Sequence, residues 1–159
     1  LHRFLRATKH KIIIAMKRNE IVSLIAVALI ILFSYTAFAK LIDMGEFERQ
    51  LAGQELPSWS KAPLVWLIPA AELLLCVLLI IPATRLPGLY GSALLMALFT
   101  GYTGLVVGYF ERTPCSCGGV LRSMGFEVHL VFNLFFLTLS ILGIYRFHSQ
   151  NKFAVTQKT

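Results

Sequence analysis

Four apolar runs, 21–41, 63–82, 87–110 and 128–145, constrain this chain more than anything else in it. Each has about 18–24 residues. At 1.5 Å of rise per residue, that matches a hydrocarbon core about 30 Å thick. Backbone groups in lipid must be paired within their own segment, so the runs are expected to be helices rather than strands. The third run carries no charge, the first and second carry only Lys40 and Glu72, and His129 opens the fourth. The expected fold class is all-α: an integral membrane four-helix bundle with two outward-facing loops.

Composition agrees. The 159 residues are 57% hydrophobic and 14% charged, with a mean hydropathy of +0.71. Soluble domains hold about 45–50% apolar residues, so a soluble domain of this length could not hide the excess. The formal charge of +7 could suggest nucleic acid, but its distribution excludes that class. Arg3, Arg6, Lys9, Lys11, Lys17 and Arg18 precede the first run, and Arg146, Lys152 and Lys158 follow the last. Basic residues beside spans set orientation and attract anionic headgroups of the lipid bilayer.

Three parts follow: a basic cytoplasmic segment 1–19, a four-span membrane domain 20–147, and a polar cytoplasmic tail 148–159. The basic start, the apolar core and Ala37-Phe38-Ala39 imitate a signal peptide. The run exceeds the usual signal core, so it is expected to stay as a span. With Arg85 added, ten basic residues lie on the side of both termini. The opposite side has five: Lys40, Arg49, Lys61, Arg112 and Arg122. The positive-inside rule then places both termini in the cytoplasm of a bacterium, with the protein multi-pass in the inner membrane. The stretches 43–62 and 111–127 face outward, and 45–54 is expected to form a short helix with Phe47 and Leu51 on one face.

The second of these loops contains Pro114-Cys115-Ser116-Cys117-Gly118-Gly119. A disulfide within Cys-x-Cys closes a very small ring, and a strained ring is more oxidising. Such a ring removes little chain entropy and makes a poor staple. Zinc takes about four ligands, whereas the outer loops offer two thiolates and His129. The leading reading is a redox pair, with a structural disulfide and a metal or persulfide site as alternatives. Cys76 lies deep in the second run and reads as core.

Glu72 lies about 13 Å below the outer surface. An ionised, unpaired carboxylate there costs several kcal/mol, so it is a proton relay or a polar clamp. Candidate partners are Tyr35, Thr36, Lys40, Thr100, Tyr102, Thr103 and Asn133. His129 and Asn133 are four apart and share a helix face. His129 is on the same side of the membrane as the cysteines and is a candidate for raising their thiolate fraction; its plain reading is an interfacial histidine. Gly101, Gly104 and Gly108 form a small-residue stripe of the kind that admits a neighbouring helix.

These residues carry a family resemblance. Phe38-Ala39-Lys40-Leu41 leading to Phe47, Leu56-Pro57, Ile68-Pro69-Ala70-Ala71-Glu72-Leu73-Leu74-Leu75, the Cys115–Gly119 motif, His129 and Asn133 resemble the MauE branch of the MauE/DoxX superfamily of small four-span membrane proteins. MauE is associated with maturation of methylamine dehydrogenase, a disulfide-rich periplasmic enzyme. The resemblance therefore implies a redox-associated function, with Cys115, Cys117 and His129 as the reactive set and Glu72, Asn133 and Lys40 as relay or clamp. It also implies a periplasmic thiol protein or a larger membrane complex as partner. The architecture looks like the quinone-linked disulfide-forming membrane proteins too, which makes a quinone between the helices a candidate cofactor. The chain departs from them in having no Cys-x-x-Cys pair. A non-enzymatic subunit or assembly factor, with the Cys-x-Cys loop as a docking element, is the alternative.

Overall fold

A computed structural model describes the backbone of residues 2–54, 57–109 and 126–156, and side chains over 20–54, 57, 59–105 and 128–149. Every regular element among the described residues is helical. In chain order they are α1 (His2–Ile42), α2 (Met44–Ala52), α3 (Ser58–Ile80), a 3-10 turn (Pro82–Thr84), α4 (Arg85–Tyr109) and α5 (Phe126–Thr156). The basic segment and most of the tail are thus helical continuations of α1 and α5.

Three helices are long and apolar enough to cross a membrane: Glu20–Ile42 within α1, Trp59–Ile80 within α3 and Val128–Ser149 within α5. A fourth span is not shown among the described residues. α4 has 25 residues and holds the third apolar run, but residues 106–109 lie outside those whose side chains are described. It packs along α5 and α3, while α1 packs on α3 and α5.

The core between these helices is apolar. Val22, Ile25, Leu29 and Phe33 of α1 meet Leu75, Cys76 and Leu79 of α3 and Leu89 and Met96 of α4. Cys76 is buried there as expected, with its sulfur 3.4 Å from the Ser34 hydroxyl oxygen. The outward faces carry exposed Leu24, Ile31, Trp66 and Leu98. Side chains of this kind suit contact with lipid tails, where no hydrophobic penalty applies.

Glycines set three close approaches, one of them at Gly91 of α4, where a Cβ would lie 2.5 Å from the Leu75 side chain of α3. A Cβ on Gly143 of α5 would lie 2.9 Å from Leu89 of α4 and 3.1 Å from Ile25 of α1. A Cβ on Gly88 would lie 3.1 Å from the Leu78 and Leu79 backbone. Gly88 thereby lets α4 start against the end of α3. Among the described residues, a Cβ on Gly101 or Gly104 meets nothing within 4 Å. The Gly108 member of that stripe lies outside the residues whose side-chain surroundings are described.

The α3–α4 corner is held by polar groups. Thr84 Oγ1 donates to the Leu78 carbonyl at 3.0 Å and Arg85 Nε to the Leu79 carbonyl at 3.3 Å, satisfying acceptors that the helix end leaves free. Arg85 also reaches Ser23 of α1 at 3.2 Å.

At the opposite end lies the short helix predicted from the sequence. Asp43 caps α2 by accepting from the Glu46 N–H at 3.1 Å. Phe47 and Leu51 are buried against Val65 of α3, and Lys61 Nζ donates to the Ala52 carbonyl at 2.7 Å. α2 is thus pinned across the end of α3 by its apolar face.

Candidate functional site

Beneath α2 the apolar core gives way to buried polar side chains. Lys40 stands in the last turn of α1, where its charge suits the helix C-terminus. Its Nζ donates to Glu72 Oε1 at 2.8 Å and Oε2 at 3.1 Å, and to the Thr36 carbonyl at 3.2 Å. An ammonium has three donors, and these contacts use all of them. Thr36 Oγ1 is 3.0 Å from Glu72 Oε1, so the carboxylate accepts from two residues of α1. Both charged side chains are almost completely buried, at 5% and 2% exposure. The Phe47 ring of α2 covers the pair, its centroid 5.8 Å from Nζ.

Thr36 and Lys40 were both among the candidate partners of Glu72, and they are the ones it meets. They face α3 from adjacent turns of α1, one helical repeat apart. Pro69, which has no N–H to give to the carbonyl four residues earlier, is buried one turn before Glu72.

α5 supplies the second half. His129 is 1% exposed and Asn133 is 4% exposed. The Asn133 amide nitrogen lies 3.3 Å from His129 Nδ1. An amide nitrogen only donates, so Nδ1 is the acceptor and the proton of the neutral ring sits on Nε2. Among the described residues Nε2 has no hydrogen-bond partner. Lys40 lies within electrostatic range of the same ring.

Helix register explains why these residues share a level. Gly143, Leu89 and Ile25 mark one height where α5, α4 and α1 touch. The distance from Gly143 to His129 along α5 is about 21 Å. The same number of residues leads from Ile25 to Ala39 and from Leu89 to Thr103 on the antiparallel neighbours. Lys40, Thr103 and His129 therefore form one layer, and all three are buried. Thr36 and Asn133 lie one turn deeper.

Two contacts escaped the sequence reading. Gln54, just beyond α2, is buried and its side-chain oxygen accepts a short hydrogen bond from the Tyr102 hydroxyl of α4. A glutamine after a surface helix carries no local signal of burial. At the far end of the helices Tyr90 of α4 meets His148 of α5 at 3.0 Å, a pairing across 58 positions that sequence spacing does not reveal.

Cys115 and Cys117 lie outside the described residues. α4 ends at Tyr109 and α5 begins at Phe126, so the segment carrying them leaves and re-enters at the end of the molecule that holds this layer. His129 is about one helical turn from Phe126. Among the described residues no group of three or more His, Cys, Asp or Glu could hold a metal ion.

Comparison with known proteins gives one match. The family model described as methylamine utilisation protein MauE covers residues 18–146. No curated protein and no solved structure matches significantly.

Proposed function

Since the chain belongs to the MauE family of membrane proteins, we propose that it performs thiol–disulfide exchange for a periplasmic thiol protein from the bacterial inner membrane, through Cys115 and Cys117. The observation that carries this reading is the buried polar layer of Lys40, Glu72, His129 and Asn133. It sits at the end of the helices from which the Cys-x-Cys segment emerges. Buried ionisable groups in a membrane segment are costly and mark function.

In this reading α4 is the fourth span, sheltered by its contacts with α5 and α3. Both termini are cytoplasmic, as the ten-to-five basic bias favours. A thiolate of the partner attacks one sulfur of the Cys115–Cys117 disulfide, and the other sulfur leaves as a thiolate. A second partner thiolate then displaces the mixed disulfide. The partner gains a disulfide, and Cys115 and Cys117 end as two thiols holding two electrons and two protons. Lys40 and Glu72 act as a clamp that fixes α1 to α3 under α2, since every Lys40 donor is already engaged.

The same saturation favours a second reading, in which the layer is a rigid platform for docking into a larger complex and the thiol loop is structural. Single replacements Cys115→Ser and Cys117→Ser separate the two. Exchange predicts a covalent adduct with a periplasmic protein on a non-reducing gel, in one variant more than the other. Absence of an adduct from both, with a pair that resists mild reductant, rejects exchange and leaves the docking role.

A further inference from the structure

The orphaned hydrogen-bond donor at His129 is the least explained polar atom in the described structure. A buried donor without a partner costs about 1–3 kcal/mol, and most buried polar atoms have one. His129 is 1% exposed, and Asn133 holds its Nδ1 as an acceptor. Nε2 therefore carries a proton, and the ring in this state cannot take a proton from a thiol. The site is built to donate to an acceptor atom.

Phe132 and Phe136 on α5 and Phe99 on α4 stand about one to two helical turns deeper than this layer and pack against the apolar core. A ligand matching such surroundings has an apolar body and a carbonyl oxygen. Thiol oxidation narrows the class: each dithiol converted to a disulfide releases two electrons and two protons. A lipid-soluble acceptor that takes both and presents carbonyl oxygens is a quinone, which becomes the hydroquinone.

We propose that His129 Nε2–H donates a hydrogen bond to a carbonyl oxygen of a membrane quinone, with Asn133 as the positioning residue that fixes the donor tautomer. This rests on the exchange reading only for the choice of quinone over other lipophilic carbonyl compounds. The polar layer then serves two partners, a thiol protein from the aqueous side and a quinone from the bilayer side.

The test uses protein in nanodiscs carrying Cys115→Ser and Cys117→Ser, so that binding is read without thiol chemistry. Quenching of Trp59 and Trp66 fluorescence is followed with decylubiquinone, with a short-tailed menaquinone as a second arm and decylbenzene as the carbonyl-free control. Saturable binding of either quinone is expected, and none of decylbenzene. His129→Leu should weaken binding about tenfold, the loss of one hydrogen bond. His129→Gln keeps an N–H at similar reach and should restore most of it; His129→Asn is too short and should not. The Gln and Asn pair decides the matter if His129→Leu does not fold. No saturable binding of either quinone, or equal binding by the Gln, Asn and parent proteins, overturns the proposal. Quinone binding without a trapped thiol adduct rejects exchange alone, and a trapped adduct without quinone binding rejects this site alone.

Discussion

Lys40 of α1 and Glu72 of α3 form a two-oxygen ion pair, 2.8 and 3.1 Å, buried beneath the Phe47 ring. The pair joins two helices at the level where the apolar core ends. Desolvating two charges is costly, and their attraction offsets that cost only when each is well hydrogen-bonded. Here Thr36 completes both sides, through its carbonyl to Lys40 and its hydroxyl to Glu72.

Breaking this pair from one side leaves a buried charge alone. Lys40→Met or Glu72→Leu should each cost about 3–5 kcal/mol, while the double replacement should recover much of it. Glu72→Gln should fall between, since its amide oxygen still accepts from Lys40. Denaturation in detergent by circular dichroism measures this. Single and double variants that all match the parent would remove the clamp.

The glycines should separate by position. Gly143→Val drives a side chain into Leu89 and Ile25 and should lower Tm clearly, as overpacking costs about 1–3 kcal/mol. Gly101→Ala and Gly104→Ala meet open space and should leave Tm unchanged or raise it, by up to about 1 kcal/mol for each glycine removed from a helix. A Tm loss at Gly101 or Gly104 would reveal a neighbour on that face beyond the described residues, from this chain or from another molecule.

The Asp43 cap should hold α2 over the polar layer. Asp43→Ala should cost about 1 kcal/mol. Hydrogen exchange should speed up in α2 while α3 stays protected. Uniform protection in the variant would show that Phe47 and Leu51 alone anchor the helix.

Thiol labelling should read the topology. A membrane-impermeant maleimide added to intact reduced cells should modify Cys115 or Cys117 and leave buried Cys76 untouched. Labelling that needs permeabilised cells would reverse the orientation.

Much of this was written in local sequence. The apolar runs dictated helices, because unpaired backbone groups cannot stand in lipid. The spacing of Phe47 and Leu51 dictated the buried face of α2, and the four-residue step from His129 to Asn133 dictated their contact. Sequence alone narrowed the Glu72 partner to a short set of residues but could not choose among them. That choice depends on how α1 is rotated against α3, which is set by packing over the whole interface. The same holds for the glycines: no local pattern tells that, among the described residues, the close approaches fall at Gly88, Gly91 and Gly143, where neighbouring helices converge. Which polar groups end up satisfied, and that His129 Nε2 does not among the described residues, is a property of the tertiary arrangement alone. It arises because hydrogen bonds between helices join residues far apart in the chain, whose relative heights and rotations no local pattern encodes.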